Sequence, residues 1–369
     1  MTSMVSGLPP QKRTFVRLWV MSIAVIYVIL AAVALFIVSG ERTSSERNHR
    51  LRMDPTAVEP GKTPPDALPA NTDFVPVNIG LYLDGVDQFS IKDSYWTATF
   101  YIWFTWKGDK SLDPGKNFQL VDAKIDKKEL VESVSLPDGT NYQRFRVAAR
   151  INKFFNTTRV PLDDHMLNIY VEDASRDASK LRYVADQGTN VSSRVKVLGY
   201  DITGFTSVVK AHTYKTTYGD PRVGGDTRTT VTEFVFAMTV KRSNVGFYLK
   251  LFIGLFAGVL LTLCSFFLRP SDTGPRFALP SAAYFGAVAN AYLVNSQLPS
   301  SGQFGLTDLV TGIGLFTIVL CLVCSLTSGY YFLKRDDKEM SKAIDKVSWI
   351  AVGIGFLAIN VALPIAAFG

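Results

Sequence analysis

The placement of uncharged segments constrains this chain more than any other feature of its sequence. The segments at 18–38, 251–268, 309–333 and 347–369 contain no Asp, Glu, Lys or Arg. Each is 18 to 25 residues long, and a helix of about 20 apolar residues crosses a bilayer. A fifth uncharged segment, 277–298, is poor in Leu and Ile and contains Ser and Asn, so we expect it to lie among partner helices or beside water. The sequence therefore predicts a membrane protein with one early helix and four later ones.

The first uncharged segment is either a signal peptide or a permanent anchor. Its apolar part exceeds the roughly 7–15 residues of a signal-peptide core, and no Ala-x-Ala site follows it. We therefore favour an uncleaved anchor at 15–38 after a cytoplasmic tail at 1–14. Cytoplasmic loops are enriched in Lys and Arg, and the basic loops at 269–276 and 334–346 agree with this orientation. Four arginines do not fit this orientation, because it places them outside the cytoplasm: Arg42, Arg47, Arg50 and Arg52.

Charge and cysteine content exclude several classes of function. Much of the net charge of +7 lies beside the apolar segments, so membrane topology and lipid headgroups explain it better than a nucleic-acid partner. Cys264, Cys321 and Cys324 all fall inside predicted spans, which leaves no disulfide for the middle of the chain and no Cys/His spacing for a metal. Three histidines without a nucleophile and base argue against an enzyme. We expect no catalytic residue, no metal and no cofactor.

Between the apolar segments the pattern changes twice. Residues 39–73 are rich in charge, Pro and Ser and lack apolar periodicity, which predicts an extended linker. From 74 to 242, runs such as "TATFYIWFTW" alternate β-branched and aromatic residues, and turns such as "DPGK" and "LPDG" separate them. Short strands without a long helix are typical of an antiparallel sandwich or barrel. A helical domain follows at 243–369.

The stretch "RVPLDDHMLNIYVED" places three titratable residues side by side, Asp163, Asp164 and His165. A metal site or a catalytic group would need these side chains to converge. Neighbouring residues of a strand point to opposite faces, and no second His or Cys cluster accompanies them. The stretch is therefore predicted to be neither a metal site nor a catalytic site.

The fifth uncharged segment carries two regular stripes. The first has steps of four and three residues, which place its members on one helix face: Ala278, Ala282, Phe285, Ala289, Tyr292 and Ser296. Without further information, small residues on a membrane helix favour helix packing over pore lining, because they let helices approach closely. A second stripe is equally regular and consists of Leu279, Ala283, Gly286, Asn290 and Leu293. Periodicity alone does not decide which of the two stripes packs against other helices and which lines a pore.

Several motifs in the same order carry a family resemblance. "VPLDDHMLNIYVE" looks like a Pro-x-Asp loop followed by a strand that ends in Glu, and "FYIWFTWKGD" looks like a strand that ends in Trp106. "RSNVGFYLKLFIG" is similar to an Arg-led entry into a first membrane helix, and "LPSSGQFGLTD" follows a pore-helix match without gaps. In these motifs residues 74–369 resemble the pentameric ligand-gated ion channels, the Cys-loop receptor superfamily. The likeness is greatest to bacterial members that lack the cysteine pair.

The resemblance implies a fold and an activity. The fold is an extracellular all-β immunoglobulin-like sandwich plus a four-helix transmembrane domain, preceded here by one extra N-terminal transmembrane helix. The implied activity is that of a homopentameric ligand-gated channel in a bacterial inner membrane, with the sandwich in the periplasm and the pore helix at about 276–298. A small molecule or a proton is the implied agonist, and the implied partners are four further copies of the chain and the lipid bilayer.

The resemblance also implies site residues. Residues that line the pore would be Asp272, Ala278, Ala282, Phe285, Ala289, Tyr292 and Ser296. A ligand would bind between neighbouring sandwiches, at Glu172, Tyr214 and Tyr218 of one subunit and Tyr101 of the next. Coupling between sandwich and pore would involve an Asp163–Arg242 ion pair and loop contacts, in a set made of Pro161, Asp163, Arg242, Pro299 and Asp308.

Departures from the family pattern keep alternatives open. Gly254 replaces a proline of the first membrane helix, Pro280 is added to the pore helix, and Ala174 replaces an aromatic residue of the ligand site. A non-conducting receptor or scaffold with the same fold is the alternative function. Exposed rings of Asp272 would favour cations and rings of Arg269 or Arg276 would favour anions, and we lean slightly towards cations.

Overall fold

The computed structural model describes residues 9–59, 61, 62, 64–68, 70, 73–216, 228–299 and 302–368. The chain folds into two compact units. One is helical and consists of Met1–Thr43, Thr157–Asp163 and Asn244–Gly369. The other is built from sheets and consists of Ser44–Asn156 and Asp164–Ser243. The expectation of an N-terminal apolar helix, a sandwich-like sheet region and C-terminal apolar helices is confirmed.

In its described residues the sheet unit contains ten strands in two sheets. The strands are β1 (Val75–Ser90), β2 (Tyr95–Lys107), β3 (Phe118–Leu120), β4 (Ala123–Ser135), β5 (Thr140–Asn152), β6 (Asp164–Asp173), β7 (Leu181–Ala185), β8 (Asn190–Val191), β9 (Tyr200–Tyr214) and β10 (Thr229–Arg242). The six-stranded sheet has the order β4-β5-β2-β1-β7, with β8 paired to β1, and the four-stranded sheet has the order β3-β6-β10-β9.

Alternation along the strands builds the core of the sheet unit. Every second residue of β2 from Trp96 to Trp106 is buried, because successive side chains of a strand point to opposite faces. Residues of both sheets share one apolar cluster, with Phe100 and Phe104 from one sheet and Phe234 and Phe236 from the other, all fully buried. Two sheets that face each other across a common core form a sandwich.

Among the described residues, six α-helices lie wholly in the helical unit or, for the first one, in it as far as Thr43. They are α1 (Pro10–Met53), α2 (Gly246–Leu251), α3 (Ile253–Cys264), α4 (Thr273–Ser296), α5 (Leu306–Leu333) and α6 (Lys338–Phe368). Four of them, α1, α4, α5 and α6, are long and apolar enough to cross a membrane, and the apolar helix Ile253–Phe267 is shorter. The chain therefore has the helices of a membrane protein.

Helix α1 is longer than the sequence predicts. It continues to Met53, so the first part of the expected linker at 39–73 is helical. Charged and polar residues after Ser39 are tolerated in an exposed helix, and Gly40 costs only about 1 kcal/mol there. The helix ends at Asp54-Pro55, because a residue before proline avoids the helical conformation.

One seam of α1 packs within the helical unit. Val16, Ile23, Tyr27, Ala34 and Val38 are buried at steps of seven, four, seven and four residues. The hydroxyl of Tyr27 lies 2.9 Å from Oγ1 of Thr317 in α5. A Cβ atom added to Gly355 in α6 would lie 2.5 Å from the ring of Tyr27. The helix thus packs against α5 and α6.

A break separates α2 from α3 at Phe252. The amide side chain of Asn290 in α4 bridges it: Nδ2 donates to the carbonyl of Leu251 at 3.0 Å, and Oδ1 accepts from the backbone N–H of Leu255 at 2.8 Å. A Cβ atom at Gly254 would lie 3.1 Å from Oδ1 of Asn290. The glycine therefore permits the close approach of the amide that satisfies the broken backbone.

Candidate functional site

A cluster of charged side chains lies on the outward face of the four-stranded sheet. Glu172 in β6 follows the core residue Val171, and Glu233 in β10 precedes the core residue Phe234, so both carboxylates point away from the core. An outward sheet face is normally solvated. Both glutamates are nevertheless buried, with 0% and 2% of their surfaces exposed. Two buried carboxylates on an outward sheet face are unusual.

The imidazole of His212 in β9 joins the two carboxylates. Its Nδ1 lies 2.7 Å from Oε1 of Glu172 and 3.9 Å from Oε2 of Glu233. The hydroxyl of Tyr214 donates to Oε2 of Glu172 at 2.6 Å. One ligand atom from each of Glu172, His212 and Glu233 lies within 4.8 Å of the other two.

The segment after α1 covers this cluster. We name residues 54–59, 61, 62 and 64–66 the strap. Lys62 Nζ lies 3.2 Å from Oε1 of Glu233 and 3.0 Å from Oε2 of Glu59, and 4.5 Å from the centre of the Tyr170 ring. Glu59 accepts from the Tyr170 hydroxyl at 2.5 Å. The strap therefore closes an outward sheet face with polar contacts.

Two further contacts hold the strap to β9. Lys210 Nζ donates to the carbonyl of Ala57 at 3.0 Å, and the backbone N–H of Asp66 donates to Oγ1 of Thr213 at 2.8 Å. These contacts give the buried side chains of Lys210 and Thr213 hydrogen-bond partners, so the strap is bound to the sheet specifically.

Burial and neighbouring charges shift the pKa values in this cluster. Burial raises the pKa of Glu233 to about 7, against the opposing effect of Lys62. A hydrogen bond with Glu172 raises the pKa of His212 above its ordinary value. Burial would raise the pKa of Glu59, but the Tyr170 hydrogen bond and the charge of Lys62 outweigh it and lower that pKa. Glu233 and His212 therefore both retain their protons to higher pH than the free side chains do.

The structure brings together two of the predicted ligand-binding residues. Glu172 and Tyr214 are hydrogen-bonded to each other. Tyr101 lies on β2 of the six-stranded sheet, where it lines a groove with Tyr82 and Trp103. Tyr218 lies outside the described residues.

Sequence reasoning missed His212 and Glu233. No short spacing connects them with Glu172, since they lie 40 and 61 positions further along the chain. Only the pairing of β6, β10 and β9 brings the three side chains together. Knowledge of the strand register was the missing signal.

In the helical unit the predicted pore stripe lies on the exposed face of α4. Phe285 and Tyr292 are 74% and 76% exposed, and the stripe's other members, Ala278, Ala282, Ala289 and Ser296, are exposed too. Ala283, Ala287 and Val294 are buried. Each lies two positions from Phe285 or Tyr292, which is about 200° around a helix. The buried face is thus almost opposite the stripe.

Residues of the predicted coupling region also meet in the helical unit. The backbone N–H of Leu306 donates to the carbonyl of Thr158 at 2.7 Å, and Oε1 of Gln303 accepts from the backbone N–H of Thr157 at 3.1 Å. Asp308 accepts from the backbone N–H of Gly305 at 2.9 Å and so caps α5. The loop that contains Pro161 therefore contacts the connection between Pro299 and Asp308.

Asp163 and Arg242 belong to different units. Asp163 is buried in the helical unit. The guanidinium of Arg242 lies 4.0 Å from the centre of the Tyr200 ring in the sheet unit. Their predicted ion pair stays a prediction.

The chain matches no protein-family model and no curated protein.

Proposed function

We propose that the chain is one subunit of a homopentameric ligand-gated ion channel of the Cys-loop receptor type. The observation that carries this proposal is the exposed stripe of α4, which contains two large aromatic rings and four small residues opposite the buried face of the helix. A membrane helix with a regular face that its own bundle leaves uncovered is suited to surround a pore together with further copies. The motif order of the sequence supports the same assignment.

In this proposal the helical unit includes a four-helix transmembrane domain, made of α2 with α3, α4, α5 and α6. The sheet unit is an immunoglobulin-like ligand-sensing domain in the periplasm, and α1 is an extra membrane anchor. An agonist, either a small molecule or a proton, binds near Glu172 and Tyr214 of one subunit and Tyr101 of its neighbour. The contacts of Thr157 and Thr158 with the connection before α5 support a route from sensing to gating.

Charge at the start of α4 supports a preference for cations. Arg276 is 1% exposed and forms an ion pair with Asp345 of α6 in the same chain. Its charge is therefore compensated inside the subunit and turned away from the stripe. Asp272, at the N-terminal end of α4, is exposed. A ring of five such carboxylates attracts cations to a pore mouth.

Single-channel recording of the purified chain in planar bilayers tests the proposal. Unitary currents are expected, and a reversal potential under a salt gradient should report cation selectivity. Asp272→Asn should shift that potential towards the value for a non-selective pore, whereas Glu339→Gln, an exposed change in α6, should not. Mass photometry should report five chains per particle. A protein that never gives unitary currents would instead be a non-conducting receptor or scaffold.

A further inference from the structure

One oxygen atom of the buried Glu233 carboxylate has no hydrogen-bond partner among the described residues. Its Oε1 faces Lys62, but its Oε2 has no hydrogen-bond partner although the side chain is only 2% exposed. A buried polar atom without a partner costs free energy and calls for an explanation. The unpartnered Oε2 is directed at the imidazole of His212, 3.9 Å from Nδ1.

We propose that Glu172, His212 and Glu233 form a binding site for a divalent metal ion of the zinc type. The site shares Glu172 with the agonist site proposed above, but the test of metal binding does not depend on channel activity. Zinc binds imidazole nitrogen and carboxylate oxygen at about 2.0–2.2 Å, with ligand atoms on the corners of a tetrahedron. Ligand atoms in such a site lie roughly 3.3–3.6 Å apart. The separations of 2.7 Å and 3.9 Å from Nδ1 to the two carboxylates bracket that range.

The type of donor selects the metal. One nitrogen and two oxygens from three side chains suit a small borderline metal ion, because Ca²⁺ and Mg²⁺ prefer six or more oxygen ligands. Three protein ligands leave a fourth position for water. Burial of both carboxylates favours a bound cation, since it compensates charges that water does not reach.

Tyr214 supplies the outer contact that metal sites require. Its hydroxyl donates to Oε2 of Glu172, which orients Oε1 of that carboxylate towards Nδ1 of His212. Hydrogen bonds of this kind fix ligand orientation and contribute to metal affinity.

Lys62 of the strap is the cation that the metal has to displace. Its ammonium group compensates Glu233 at 3.2 Å, and two cations cannot share one carboxylate closely without repulsion. Metal binding should therefore release Lys62 from Glu233. The contacts of Glu59 with Tyr170 and of Asp66 with Thr213 would still hold the strap.

Zinc binding to the full-length protein in detergent tests this site. After removal of metals with EDTA and exchange into buffer at pH 7.5, Zn²⁺ is titrated against a chromophoric chelator. We expect one Zn²⁺ per chain, a loss of affinity of tenfold or more in Glu172→Gln and His212→Gln, and a several-fold gain in Lys62→Met. His49→Gln, the same exchange in α1, is the matched control and should not change the affinity.

Folding and coordination are checked separately. His212 is the most exposed of the three ligands, at 24% of its side chain, and a glutamine amide can also donate to Glu172, so His212→Gln should still unfold cooperatively, within a few degrees of the wild type. Bound Co²⁺ should give visible absorption bands in the wild type that His212→Gln abolishes. The proposal is overturned by absence of saturable binding, or by equal affinity in wild type, Glu172→Gln and His212→Gln. Equal affinity in Lys62→Met would overturn the displacement of Lys62. None of these readouts uses conductance.

Discussion

At the scale of single residues, Lys153 makes the stability of the sheet unit depend on pH. Burial, and then the charge of Arg52, lowers the pKa of this lysine to about 7. Its ammonium group has Oδ1 of the buried Asn168 as a partner. A lysine whose pKa is lower in the folded than in the unfolded state binds fewer protons when folded. Its unfavourable effect is therefore complete below about pH 7 and disappears as pH rises towards 10.5.

We expect the difference in unfolding free energy between wild type and Lys153→Met to change with pH. From pH 6 to pH 10 it should move in favour of the wild type by about 1–4 kcal/mol, since one pKa unit corresponds to about 1.4 kcal/mol. Denaturant unfolding followed by tryptophan fluorescence measures this, because Trp96, Trp103 and Trp106 all lie in β2 of the sheet unit. Lys124→Met, at a lysine that is 81% exposed, is the control. Parallel curves for wild type and Lys153→Met would contradict the prediction.

At the scale of elements, the break between α2 and α3 depends on a side chain of α4. Asn290→Leu removes both the donor to Leu251 and the acceptor for Leu255. Each buried backbone group left without a partner costs about 1–3 kcal/mol. We expect the unfolding temperature of the detergent-solubilised protein to fall by several degrees. Asn295→Leu, at an exposed asparagine of the same helix, should leave it unchanged. An equal effect of both changes would mean that the bridge does not stabilise the break.

The ion pair between α4 and α6 should respond asymmetrically to mutation. Asp345→Asn leaves the buried guanidinium of Arg276 without its counter-ion, which costs about 3–5 kcal/mol. Replacing both partners with apolar residues, Arg276→Met and Asp345→Leu together, should recover most of that loss. Lys12→Met breaks the more exposed pair with Asp337 and should cost less than about 1 kcal/mol. Thermal unfolding measures all three, and a double variant as unstable as Asp345→Asn would exclude this explanation.

Elements with a strong local period could be predicted from the sequence, and those held by distant contacts could not. The alternation of β2 and the uncharged lengths of α5 and α6 are repeated signals within single segments. The continuation of α1 to Met53 was missed because the polar residues after Ser39 show no apolar periodicity. No proline interrupts this part of the helix before Pro55. The break at Phe252 has no local signal either, since the Asn290 that satisfies it belongs to another helix.

At the scale of the whole molecule, the candidate metal site also depends on distant contacts that a local sequence pattern does not predict. Glu172 could be singled out from a strand-terminal motif. His212 and Glu233 could not, because register between three strands and cover by the strap decide their surroundings. Those contacts join residues far apart in the chain, and one sequence contains no record of them.

In the proposed channel, the exposed face of α4 lines the pore together with the same face of the other subunits. Each residue of that face would form a ring of five side chains in the proposed pentamer. Phe285 and Tyr292 are the two large residues on it, and their exposure in a single chain, 74% and 76%, leaves them uncovered by the chain's own helices. A narrow ring of apolar side chains excludes water and thereby blocks ions without a physical plug.

Phe285→Ser should therefore convert a closed pore into a leaking one. Serine is small and carries a hydroxyl, so water enters the ring more readily and ions follow it. We expect currents in the absence of any agonist, recorded in planar bilayers at matched protein density. Val288→Ser makes a similar exchange on the same helix but off the stripe, and it should leave the closed state intact. If Val288→Ser leaks while Phe285→Ser stays silent, α4 is rotated relative to the pore. In that case the residues that face the ions are those flanking the stripe rather than those within it.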